Sequence, residues 1–185
     1  MIQTRHLTTQ QIKVKSITAV LAVALSVALP QIFHAVGLLS GMGNALGAAF
    51  LPMHIPVLLA GLLAGPIVGV VAGGISPLIS FAISGMPAAA LLPFMMIELA
   101  AYGLIAGFLC NVRMPVFVKV LLIQVGGRLA RAAAILISVY AFSNTTIGLE
   151  QAWNVVVIGL PGILLQWLLI PLLIYRCKDL KKYYE

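Results

Sequence analysis

A chain of 185 residues that is 62% hydrophobic and only 8% charged cannot cover itself with a polar surface, since a soluble domain is usually about 25% charged. Its mean hydropathy of +1.14 turns that apolar surface toward lipid. The formal charge of +7 does not mark a nucleic-acid binder, because the basic residues cluster at the ends of apolar runs, and six spans of about 20 residues each leave no room for a nucleotide-binding domain.

Residues 1–15 carry Arg5, His6, Lys13 and Lys15 and read as a cytoplasmic tail or short interfacial helix. The segment is not read as a signal peptide, because more membrane follows its apolar run and no small-residue cleavage site precedes a hydrophilic chain. The first span is predicted over 16–36, with Pro30 and His34 in its far part. Residues 37–51 are rich in Gly and Ala and hold no charge, which predicts a loop or re-entrant stretch covered by protein. The second span is predicted over 52–65 and is short. Pro66 marks a turn, and the third span follows over 67–83 with Pro77 expected to kink it. Residues 84–90 form a loop, and the fourth span covers 91–110. The fifth covers 116–142, residues 143–150 form the clearest loop, and the sixth covers 151–175 before a basic tail, 176–185.

The tails and the turn after the fourth span hold nine Lys and Arg: Arg5, Lys13, Lys15, Arg113, Lys119, Arg176, Lys178, Lys181 and Lys182. The alternate loops 37–51, 84–90 and 143–150 hold none. The positive-inside rule therefore predicts an all-α membrane protein with six transmembrane helices and both termini cytoplasmic. Cys110 and Cys177 fall at predicted cytoplasmic ends, where reduced thiols are expected.

Glu98, Arg128 and Arg131 lie inside predicted spans, where a charge is costly and faces protein rather than lipid. At 1.5 Å per residue, Glu98 sits about 10 Å, Arg131 about 16 Å and Arg128 about 21 Å from the outer boundary. Glu98 and Arg131 are within reach of each other, and Arg128 shares the face of Arg131. Two readings stay open. In one, a Glu–Arg pair fixes helix packing. In the other, an arginine left over after pairing meets an anionic or carbonyl group of a small ligand. A proton relay through Glu98 is a third, weakened by the lack of a second membrane acid. Asn44, His54, Asn144, Asn154 and Gln166 add polar groups, as do Trp153, read as an interfacial anchor, and Trp167. His34 and His54 lack metal-like spacing. Gly61, Gly65, Gly69 and Gly73, then Gly103 and Gly107, recur every four positions and predict close helix approach. No catalytic constellation stands out, and no Gly-rich loop before Lys-Ser/Thr is present. The chain is read as a non-enzyme without a cofactor of its own.

Three pieces of residues 47–109 carry a resemblance: Pro52–Val57 (Pro-Met-His-Ile-Pro-Val), Gly85–Pro87 (Gly-Met-Pro) and Glu98–Gly103 (Glu-Leu-Ala-x-Tyr-Gly). Together they resemble the substrate-binding S component of energy-coupling factor (ECF) vitamin transporters. The resemblance implies high-affinity capture of a vitamin or precursor near the outer face, in a pocket made by helices four to six and the first, third and fifth loops. Candidate ligand contacts are then Asn44, His54, Glu98, Tyr102, Arg128, Arg131, Asn144, Asn154 and Gln166. A transmembrane T component and two ATPases would complete the complex, so that ATP is used by partner subunits. Ala24 and Ala28 match the Ala-x-x-x-Ala patch that meets the T component, with Val20–Ala24 as another register. The surplus arginine favours a carboxylate and puts pantothenate first. Cobalamin, which needs a wider cavity that Ala88–Ala90, Gly126 and Gly127 could make, and hydroxymethylpyrimidine-like compounds remain alternatives. So do a stand-alone proton-coupled secondary transporter and a structural membrane protein.

Overall fold

A computed structural model describes residues 8–143, 146–177 and 184. All regular structure among them is helical: α1 (Thr9–Leu39), α2 (Ala45–Phe50), α3 (His54–Ala64), α4 (Pro66–Ser84), α5 (Leu92–Leu109), α6 (Val116–Ala141), α7 (Glu150–Ile158) and α8 (Leu160–Arg176). Five segments are long and apolar enough to cross a bilayer: α1, Ala45–Ala64, α4, α5 and α6. The α7–α8 pair, bent by 54°, passes the same test when taken together, which gives five to six spans among the described residues.

The boundaries differ from expectation at three places. Helix α1 starts at Thr9 rather than at 16, because Thr8 and Gln11 form a reciprocal capping box that begins the helix in the polar segment. Part of the 37–51 stretch is helix α2, and its last turn ends at Leu51, whose φ of 50° and ψ of 48° are left-handed. That conformation, which costs a non-glycine residue about 1–2 kcal/mol, redirects the chain into α3. The second span therefore begins near Ala45, not at 52. The sixth span is two helices. Gly159 ends α7, and Pro161 in the first turn of α8 restarts the helix, since proline lacks the N–H that a continuous helix would need there. Pro77 lies within α4 without ending it.

Helix α5 is the centre of the bundle, packing against α3, α4 and α6, while α1 leans on α3 and α4, and α8 on α6. Helix α3 buries Val57, Leu58, Ala60, Leu62 and Ala64 and so is apolar all round. Lipid-facing surface is carried by exposed stripes such as Leu164, Leu168 and Leu172 on α8 and Val20, Leu21 and Leu25 on α1. The α4–α5 interface is backbone against backbone. A Cβ on Gly69 would meet the Gly103 carbonyl, and one on Gly103 would meet that of Gly69; Gly73 faces Leu99 and Gly107 faces Pro66 in the same way. Gly65 shares their spacing but not their role. It lies in open space at φ +96°, forming the turn between α3 and α4.

Candidate functional site

The polar content of the bundle is concentrated where α3, α5 and α6 meet. The start of α3 places His54 there, α5 supplies Glu98 one turn before Tyr102, and α6 supplies Arg128 and Arg131 on one face. Glu98 is 1% exposed and answers both arginines. Its Oε2 accepts a hydrogen bond from Arg131 Nη1 at 2.8 Å. Its Oε1 lies 2.7 Å from Arg128 Nη1, but the N–H is not directed at it, so this contact is ionic without being a hydrogen bond. The imidazole Nε2 of His54 is 3.7 Å from the same oxygen. Tyr102 stands edge-on to His54 with ring centroids 5.0 Å apart, and its own ring is seated on Gly127.

Pairing is incomplete. Among the described residues all three Arg128 guanidinium nitrogens, Arg131 Nε, Glu98 Oε1 and both ring nitrogens of His54 are buried without a hydrogen-bond partner. Unsatisfied polar groups at membrane depth are expensive, and of these Glu98, Arg131 and His54 border a cavity, while Arg128 lies behind them against Glu98. The cavity is present. It has a volume of about 260 Å³ and opens between α1, α2, the 84–90 loop, α5 and α7. Glu98, Arg131 and His54 form its polar end. Asn44, His34 and Ser80 lie on its wall, and Met53, Met86 and Met95 give it a soft apolar lining.

The residue-by-residue outcome is mixed. Asn44, His54, Glu98 and Arg131 line the cavity. Arg128 and Tyr102 stand behind that wall, each within the same cluster. Gln166 does not line it. Its Oε1 accepts a hydrogen bond from Gln124 Nε2 at 3.0 Å, while Trp167 Nε1 donates to Gln124 Oε1, so the three form a clasp between α6 and α8. Asn154 is exposed on α7 and does not line it either. Asn144 lies outside the described residues. Gly126 and Gly127 widen nothing, because Ile105 and Tyr102 occupy the space their missing side chains leave. Both arginines contact the same carboxylate, so the one surplus positive charge is shared by the cluster.

Residues not singled out as ligand contacts in the sequence include Pro30 and His34 from α1 and Val155 and Ile158 from α7. For the last two, the Gly159-Leu-Pro-Gly162 run was the available signal, since a glycine–proline break separates α7 from α8, and α7 brings Val155 and Ile158 to the cavity wall. The Pro-Met-His and Gly-Met-Pro pieces, by contrast, deliver Pro52, Met53, His54, Met86 and Pro87 directly to the wall.

The family profile described as "ECF transporter, substrate-specific component" matches residues 14–175. The chain belongs to this family. Comparison with curated proteins and with solved structures gave no match. As an ECF S component, it is a non-catalytic, multi-pass protein of the cell membrane that takes part in transport of a small-molecule substrate, working with a T component and an ATPase pair.

Proposed function

We propose that this S component captures a small vitamin or vitamin precursor carrying one carboxylate, with pantothenate the best candidate, and presents it for ATP-driven uptake. The observation that carries the reading is the Arg131–Glu98 end of a cavity of about 260 Å³. Arg131 and its Nε, which has no partner, would meet the carboxylate. Asn44, His34 and Ser80, which lie on the same cavity wall, would meet the amide and hydroxyl groups of such a ligand. A corrinoid is several times bulkier than this space, and a hydroxymethylpyrimidine brings no anion to the arginines. The positive-inside rule supports an outward-facing cavity, because Lys13, Lys15, Arg113, Lys119 and Arg176 gather at the opposite end of the bundle.

Mass spectrometry of small molecules that co-purify with the chain tests the assignment. A bound monocarboxylate is expected, and a corrinoid would overturn it. Arg131→Ala is expected to weaken pantothenate binding by about tenfold or more while lowering the melting temperature by only a few degrees, because Glu98 keeps Arg128. Equal loss of both would make the pair purely structural. Robust uptake by the purified chain in liposomes, driven by a proton gradient without an ATPase, would favour the secondary-transporter reading.

Ala24 and Ala28 are exposed on one face of α1 beside Val20. A strip of small residues on a lipid-facing helix lets another helix approach closely, which supports this face as the T-component contact. Ala24→Trp and Ala28→Trp are expected to spare ligand binding and to abolish co-purification of the T component. Undiminished co-purification of both variants would remove the assignment.

A further inference from the structure

We propose that Glu98 and Arg128 act together as the charge-setting pair of the cavity, so that it accepts a ligand of charge minus one and discriminates against neutral and dianionic ligands of the same shape. This deepens, and rests on, the reading of the cavity as the ligand site.

The argument is a count of charges in a place where charge cannot be ignored. Glu98 contributes one negative charge, and Arg128 and Arg131 contribute two positive charges within 2.7 and 2.8 Å of it. With His54 as a neutral imidazole, the cluster carries plus one. Glu98 is 1% exposed, and the side chains of Arg128 and Arg131 are 12% and 6% exposed. In such surroundings an unanswered unit charge acts over several ångströms with little screening. A monoanion in the cavity brings the total to zero. A neutral ligand leaves the excess standing, and a dianion replaces it with an excess of the opposite sign.

The two residues differ in how they act. Arg131 lines the cavity and is placed to touch a ligand. Arg128 does not line it. Its guanidinium stands behind the wall beside the α7–α8 break, where a Cβ on Gly159 would lie 3.4 Å from its Nη2. Arg128 is therefore a positioning and charge-setting residue. Replacing it changes the total charge without removing a wall contact. Glu98 touches the cavity, but its main work is to cancel one of the two arginines, and without it the site would call for a dianion.

The test uses the full chain in detergent micelles at low ionic strength, where screening is least, with melting temperature against probe concentration giving relative affinities. The probes are butyrate, its neutral isostere butyramide, and the dianion succinate. In the wild type, butyrate is expected to bind about tenfold or more tightly than butyramide. In Arg128→Gln, whose cluster is neutral, that preference should shrink to about twofold or less. In Glu98→Gln, at plus two, succinate should gain on butyrate by about tenfold relative to the wild type. If Glu98→Gln does not fold, the wild type and Arg128→Gln decide the matter. Equal effects of butyrate and butyramide on the wild type, including none from either, would overturn the proposal, as would unchanged discrimination in Arg128→Gln. A parallel arm with pantothenate and its alcohol, panthenol, separates the two readings. Silence of pantothenate while the butyrate pair obeys the rule removes the vitamin assignment and leaves the charge rule standing. Equal binding of pantothenate and panthenol keeps a pantothenoyl ligand and overturns the charge rule.

Discussion

Glu98→Ala is expected to destabilise the protein by about 3–5 kcal/mol, which for a chain of this size is a fall of about 6–20 °C in melting temperature. The cost is not the loss of the ion pair as such. Deleting the carboxylate leaves Arg128 and Arg131 three residues apart on one helix face, both buried and neither with a counter-charge. His54 loses its charged neighbour as well. Removing one arginine is much milder, because the remaining one still answers Glu98. The asymmetry is measurable as a double-mutant cycle: Arg128→Ala introduced into Glu98→Ala should recover stability rather than lose more. A loss below about 1 kcal/mol for Glu98→Ala, or simple additivity in the cycle, would mean that water reaches the cluster freely and that its charges are solvated.

The same cluster shows what a sequence can and cannot convey about a membrane protein. Hydropathy marks the apolar segments of the chain, because lipid imposes one requirement on every segment that crosses it, but not their breaks at Leu51 and Gly159. The charged residues inside spans were equally legible, since a buried charge always needs a partner. Their pairing was only partly so. Axial depth put Arg128 about 11 Å further in than Glu98, taking 1.5 Å per residue, yet its long side chain reaches back to the same carboxylate. How far one helix slides against its neighbour is set by close packing at residues such as Gly69 and Gly103, which no depth estimate contains. Gln166 illustrates the other limit. Polarity correctly marked it as needing a partner, but periodicity does not say which neighbour its face meets, and that neighbour is Gln124 rather than the cavity. The breaks in the second and sixth segments escaped hydropathy for a common reason: each is a local backbone turn, at left-handed Leu51 and at Gly159 before Pro161, that leaves the apolar average of the segment unchanged.

Gly103→Ala and Gly74→Ala are expected to have opposite signs, although both place one methyl group on a helical glycine. In an open helical position the substitution stabilises by about 0.5–1 kcal/mol, because alanine loses less backbone freedom on folding. Gly74 is such a position, with nothing within 4 Å of the added carbon. Its neighbour Gly73 and the facing Gly103 are not, since the same carbon would land on the backbone of the opposite helix, at Leu99 and at Gly69. Backbone cannot rotate aside as a side chain can, so α4 and α5 must separate and lose contact along their length. A cost of about 1–3 kcal/mol is expected for Gly103→Ala, and more for Gly103→Leu. The displacement should also reach the site. Glu98 lies on the same helix, five residues earlier, and its 2.8 Å hydrogen bond to Arg131 depends on where α5 stands. Ligand binding is therefore expected to fall in Gly103→Ala beyond what partial unfolding explains, and to be unchanged in Gly74→Ala. Melting curves with and without ligand for the two variants read both effects. Matching behaviour of the pair would show that α4 and α5 are held apart by something other than the size of these residues.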